Sequence, residues 1–185
     1  MPGPVVYQLK ATIRGTKPPV WRRVVVPKAS TLRQLHVVIQ AAFGWYGYHL
    51  HVFEIGGVSY GTDDGQGWER PRDEGRARLG AVAGPGSVFD YVYDFGDDWT
   101  HKVVVEKEMT AVAGVAYPAC TGGRRACPPE DCGGVWGYQD FLETVSDPDD
   151  PEHEAMLEWA GGDFDPDAFD PGDFARRLGF AQSAR

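Results

Sequence analysis

The sequence predicts a single α+β domain, a mixed and mainly antiparallel sheet with one helix packed on it and a helical, acidic C-terminal tail. Three observations carry this expectation. Apolar residues recur with period two near 5–14, 20–26, 50–56, 87–95 and 99–107, a helical period interrupts them over 31–43, and Asp-Pro pairs punctuate the last third of the chain. At 185 residues, one domain spanning 1–185 is large enough to bury a core without disulfide or metal staples.

Taken in order, the first strand shows Tyr7, Leu9, Ala11 and Ile13 on one face and Gln8, Lys10, Thr12 and Arg14 on the other. Turn residues at 15–19 lead to the β-branched run 20–26, which Pro27 ends. Thr31 and Gln34 fit a capping box, Leu32, Leu35, Ile39, Ala42 and Phe43 form an apolar stripe, and Gly44 stops the helix. His36 lies beside that stripe, where a half-buried, hydrogen-bonded histidine is the simplest reading. His49, His51, Phe53 and Ile55 share one face of the next strand.

Residues 61–78 hold little apolar material and are expected as an exposed loop. A hairpin follows, with Phe89, Tyr91, Tyr93 and Phe95 on one face of its first strand and Trp99, His101, Val103 and Val105 on one face of its second. Residues 117–134 carry three cysteines among prolines and glycines and read as a compact irregular loop. Helical structure is expected from 137 to 179, with Asp150-Pro151, Asp165-Pro166 and Asp170-Pro171 each starting a short helix and Gly179 stopping the last.

Charge is distributed unevenly. Residues 1–60 hold seven Lys/Arg and one acid, residues 130–185 hold three and fifteen, and the net charge is -9. The asymmetry alone is weak evidence for a partner, and the acids of the tail suit helix N-termini. No signal-peptide pattern opens the sequence and no apolar run approaches the roughly 18 residues of a spanning helix, so a cytoplasmic protein with no membrane association is expected. Three cysteines are an odd number, which argues against a disulfide framework.

Several stretches together resemble the plasmid pRiA4b ORF-3-like family, whose members are often labelled insertion-element passenger proteins of the TnpR type. They are PPVWRRVVVP (18–27), HLHVFEIGGVSYG (49–61), YDFGDDWTHKVVVE (93–106) and YPACTGGRRACPPEDCGG (117–134) followed by GYQDF (137–141). The resemblance implies a single α+β domain and supplies no catalytic residues. A serine recombinase, which the TnpR label suggests, would need a nucleophilic serine backed by arginines and a DNA-binding helical module. Ser30, Ser59, Ser87, Ser146 and Ser183 lie in unrelated contexts, and no helix-turn-helix pattern is present.

Three functions compete on the sequence. The first is a non-enzymatic binding module recognising a protein or small ligand near the hairpin 91–105, with Tyr93, Asp94, Asp97, Asp98 and Trp99 as its surface. The second is a metal-dependent hydrolase or nuclease in which Asp94, Asp97, Asp98 and His101 hold a cation that activates water. The third is a nucleic-acid-binding accessory factor using Lys10, Arg14, Lys17, Arg22, Arg23, Lys28 and Arg33, which the overall acidity opposes. Zinc is a possible cofactor, held by Cys120, Cys127 and Cys132 with His101 or His51 as fourth ligand. Packed free thiols and a labile disulfide are the alternatives for the same cysteines.

Overall fold

A computed structural model describes residues 3–62 and 70–183. One eight-stranded sheet organises the chain in the order β5-β4-β3-β6-β7-β1-β2-β8. The strands are β1 (Val5–Ile13), β2 (Trp21–Pro27), β3 (His51–Ile55), β4 (Val58–Gly61), β5 (Arg72–Asp73), β6 (Val88–Tyr93), β7 (Trp99–Thr110) and β8 (Ala119–Arg124). Every pairing is antiparallel except β4 with β5, so the mixed, mainly antiparallel expectation holds.

The period-two strands bury the residues expected. Leu9, Ala11 and Ile13 of β1 lie in the core, joined by Phe53 of β3, Phe89, Tyr91 and Tyr93 of β6 and Trp99, Val103 and Val105 of β7. Helix α1 (Leu32–Phe43) covers this face with Leu32, Leu35, Val38, Ile39 and Phe43. Thr31 and Gln34 cap it reciprocally, which satisfies two amide donors at its start. At its end Gly44 adopts φ 81°, and a Cβ there would also overlap the Arg177 guanidinium. The left-handed backbone is what favours glycine here, since the Arg177 side chain is long enough to shift aside.

Four further elements complete the domain: α2 (Leu79–Val82), α3 (Gly134–Ser146), α4 (His153–Trp159) and α5 (Gly172–Ser183). Helix α5 packs on α1, and α3 on α4.

The structure departs from the sequence reading in several places. The irregular loop expected over 117–134 begins as the edge strand β8, which pairs with β2. Its glycines mark close approach, since a Cβ on Gly123 would lie 2.5 Å from the Phe169 ring where the tail crosses the strand. The segment expected as an exposed loop over 61–78 carries β5 and a buried Glu74, and residues 63–69 lie outside the described residues.

Helix α3 starts at Gly134 rather than 137, and Gly137 instead makes room for the Cys132 carbonyl inside the first turn. In the tail, Asp150, Asp165 and Asp170 each accept a hydrogen bond from the amide two residues on. Helices follow the first and third of these turns, but the Asp165-Pro166 turn pairs with the cysteine loop through Ala126 N–H and the Pro166 carbonyl. The last helix also passes Gly179 and runs to Ser183.

Candidate functional site

Strand β6 ends at Tyr93, and the turn to β7 is built by aspartates. Asp94 and Asp98 take the left-handed conformation at φ 57° and 52°, which their short polar side chains tolerate. The Asp94 Oδ1 accepts from Gly96 N–H at 3.0 Å, and the Asp98 N–H donates to the Asp94 carbonyl at 2.7 Å. Phe95, expected on the core face with Tyr93, falls inside this turn and is exposed.

The turn is clasped to the loop that precedes α3. Asp97 Oδ2 accepts from Gly133 N–H at 3.1 Å, and Gly134 at φ 70° lies so close that a Cβ would meet the Asp97 carbonyl oxygen at 2.3 Å. Alongside, the Tyr93 hydroxyl donates to Glu130 Oε1 at 2.5 Å, and Glu130 Oε2 accepts from Tyr46 N–H. Burial and the adjacent Glu130 carboxylate push the Tyr93 phenol well above its usual range, so it stays a donor.

This clasp brings His49, Asp94 and Asp131 together from three separate segments. His49 Nε2 is 3.0 Å from Asp131 Oδ1 and 3.6 Å from Asp94 Oδ2. Among the described residues these three form the group whose ligand atoms all lie within 4.8 Å of one another. Alternation places His49 on a strand face with His51 and gives no reason to join it to Asp94 or Asp131. Strand β3 begins only at His51, which leaves His49 in the segment that turns toward Asp94.

The residues expected as a partner surface divide into two sets. Tyr93 and Trp99 are core, at 0% and 1% exposure, stacked and tilted against Trp45. Asp94, Asp97 and Asp98 stay at the turn, where Asp98 accepts from the Thr100 hydroxyl. The apolar surface at this end comes from other residues. Tyr46, Tyr48, Leu50, Phe95 and Trp136 are five of the nine large hydrophobic side chains exposed among the described residues. They surround the turn: Tyr46 stacks on Tyr48, Tyr48 N–H donates to the Tyr93 hydroxyl, the Leu50 carbonyl accepts from Asp94 N–H, and Trp136 stands on the first turn of α3.

The two histidines expected as zinc ligands are engaged by other groups. His51 Nε2 is 2.7 Å from the buried Glu74 carboxylate, and its ring stacks on His36 at 3.6 Å. Gln40 donates to the Tyr91 hydroxyl, which leaves that O–H to face His36 Nδ1 at 2.8 Å. His101 is fully buried among Phe43, Trp45 and Tyr91. Its Nδ1 faces the Trp99 carbonyl at 2.8 Å while Nε2 has no partner, and burial lowers its pKa to about 4.

The three cysteines are free. Cys127 lies 2.8 Å from the Arg22 guanidinium, Cys120 faces the Gly122 carbonyl, and Cys132 faces the Gly134 carbonyl. Burial pushes the Cys127 thiol up to about 11 and the Cys132 thiol up to about 12. Cys120 and Cys127 line a cleft of about 760 Å³ with Arg22, Tyr46, Asp131 and Arg177.

Five of the cations offered for nucleic acid are engaged elsewhere. Arg14 pairs with Asp90, Arg23 with Glu106, Lys28 with Glu108 and Arg33 with Glu74, while the buried Arg22 is spent on backbone carbonyls and Cys127. Lys10 sits over the Trp21 ring. Among the described residues, no helix is long and apolar enough to cross a membrane.

Comparison with known proteins gives concordant matches. The profile described as plasmid pRiA4b ORF-3-like protein matches residues 5–173. A Sinorhizobium fredii protein described as uncharacterized protein y4hQ is 43% identical over 163 residues, covering 86% of this chain and 84% of its own. The crystal structure of a protein of unknown function, MM3350 from Methanosarcina mazei Go1, superposes with a TM-score of 0.84 at 42% identity. It covers 92% of this chain and 97% of its own.

Proposed function

This chain belongs to the plasmid pRiA4b ORF-3-like family, and from that premise we propose that it is a non-enzymatic binding module whose hairpin end receives a protein partner. The observation that carries this reading is the concentration of exposed aromatic and aliphatic side chains around one rigid turn. Tyr48 and Trp136 are 79% and 80% exposed. Aromatic residues of this kind dominate the energetics of protein interfaces, because they bury large areas at small loss of side-chain freedom. Tyr48 and Trp136 do not line the cleft to which Tyr46 contributes, and rings exposed in this way suit the side chains of a protein better than a small molecule.

The framework beneath them supports recognition without rearrangement. The Asp97–Gly133 and Tyr93–Glu130 hydrogen bonds fix the turn, and the Gln40 side chain ties the 45–48 segment to α1 by accepting from Gly47 N–H. A preorganised surface spends less of its interaction energy on ordering itself.

A metal-dependent hydrolase or nuclease built on Asp94, Asp97, Asp98 and His101 draws less support. Its four groups do not converge, since His101 is sealed in the core and Asp97 and Asp98 are occupied by the turn. The pairing of the N-terminal cations with acids likewise weighs against a nucleic-acid partner.

The test compares the full chain with a Tyr48→Ser/Trp136→Ser variant by size-exclusion chromatography in native extract. The intact chain should elute in a larger species and the variant as the free protein, with equal melting temperatures. A variant that still co-elutes with the partner, or an intact chain that elutes free, removes this reading.

A further inference from the structure

We propose that His49 Nε2, Asp94 Oδ2 and Asp131 Oδ1 form a three-ligand site for a first-row divalent transition metal, manganese or zinc being the natural probes. The donor separations carry the argument. With metal–ligand bonds of about 2.0–2.2 Å, neighbouring donors in one coordination sphere lie about 3.0 Å apart at right angles and about 3.4 Å apart at a tetrahedral angle. The observed 3.0 Å and 3.6 Å from His49 Nε2 match that spacing, and all three ligand atoms fall within 4.8 Å.

The donor set selects the chemistry. One imidazole and two carboxylates, without thiolate, suit manganese, iron(II) or zinc better than a soft ion, and three ligands are too few for a protein-built calcium cage. Three ligands also leave coordination positions for water or for a group supplied by a ligand, and the Asp131 side chain is 67% exposed.

The geometry is held by contacts outside the triad. Asp94 Oδ1 is engaged by the amides of Gly96 and Asp97, which leaves Oδ2 directed at His49. Asp131 adopts φ 60° between Glu130, anchored on Tyr93, and Gly133, anchored on Asp97. The His49 ring meets Tyr93 edge-on. Such supporting contacts orient ligands before the ion arrives. The site stands on this geometry alone and does not depend on what occupies the aromatic surface, so the two readings fail separately.

The test is isothermal titration of untagged, chelator-treated protein with manganese chloride and zinc chloride. The intact chain and a Cys120→Ser/Cys127→Ser/Cys132→Ser variant should each bind one equivalent. His49→Ala and Asp131→Asn should weaken binding by roughly a hundredfold or more, beyond the about 10–100-fold that follows loss of a supporting partner. Both variants alter exposed or half-exposed side chains, and their metal-free melting temperatures should equal that of the intact chain. Manganese bound by the intact chain should enhance water proton relaxation through its open positions. Absence of manganese and zinc binding by the intact chain overturns the proposal. Binding that survives in His49→Ala and disappears in the cysteine variant overturns it equally and assigns the ion to the thiols.

Discussion

Replacing His101 by Phe should remove most of the domain's sensitivity to mild acid. His101 is fully buried, and burial lowers its pKa from 6.5 to about 4. Below pH 6.5 the unfolded chain takes up a proton that the folded chain refuses, so stability is fully present above about pH 6.5 and falls as pH drops toward 4. The two pKa values imply a loss of about 2 kcal/mol between pH 7 and pH 5, approaching about 3 kcal/mol near pH 4. Phenylalanine keeps the ring among Phe43 and Trp45. It removes the unpartnered Nε2 and also strips the Trp99 carbonyl of its donor. These two changes oppose each other and should leave the variant within about 1 kcal/mol of the intact chain at pH 7. Urea denaturation of both proteins from pH 7 to 4.5 reads the difference, because other titrating groups are common to both. The curves should diverge by about 2 kcal/mol at pH 5 in favour of the variant. Parallel curves would refute the burial of a neutral His101.

Three other outcomes follow from the packing. Trp99→Ala removes a fully buried ring, should cost about 3–5 kcal/mol, and should lower the melting temperature by roughly 10 °C. Gly134→Ala combines φ 70° with backbone overlap at Asp97, so it should release the clasp, seen as faster amide exchange at Gly133 and a lower melting temperature. All three thiols should react slowly with a thiol reagent at pH 7.5 in the folded protein and fully after unfolding, because burial raises their pKa values.

Much of the fold was legible because local patterns and tertiary burial agree. Thr31, Gln34 and Gly44 mark the limits of α1, and the alternation of β1, β6 and β7 selects the core face. Glycine-rich segments were less legible, since composition does not distinguish a glycine needed for a turn from one needed for approach. Gly123 under Phe169 and Gly137 over the Cys132 carbonyl are of the second kind.

The candidate site was half legible. The aspartates of the turn and the loop carrying Glu130 and Asp131 stood out as motifs. Their joining depends on contacts such as Asp97–Gly133, 36 residues apart, that no periodicity encodes. His101 looked available in a list of polar residues, yet alternation had already placed it on the buried face with Trp99 and Val103.

The central claim, that the hairpin end receives a protein partner, is tested most directly by site-specific photo-crosslinking in the native host. A benzophenone amino acid at Tyr48 or Trp136 should yield one discrete adduct, whereas the same group at Val112 or Val115, exposed elsewhere on the molecule, should yield none. Adducts of equal yield at all four positions, or none at Tyr48 and Trp136, would contradict it.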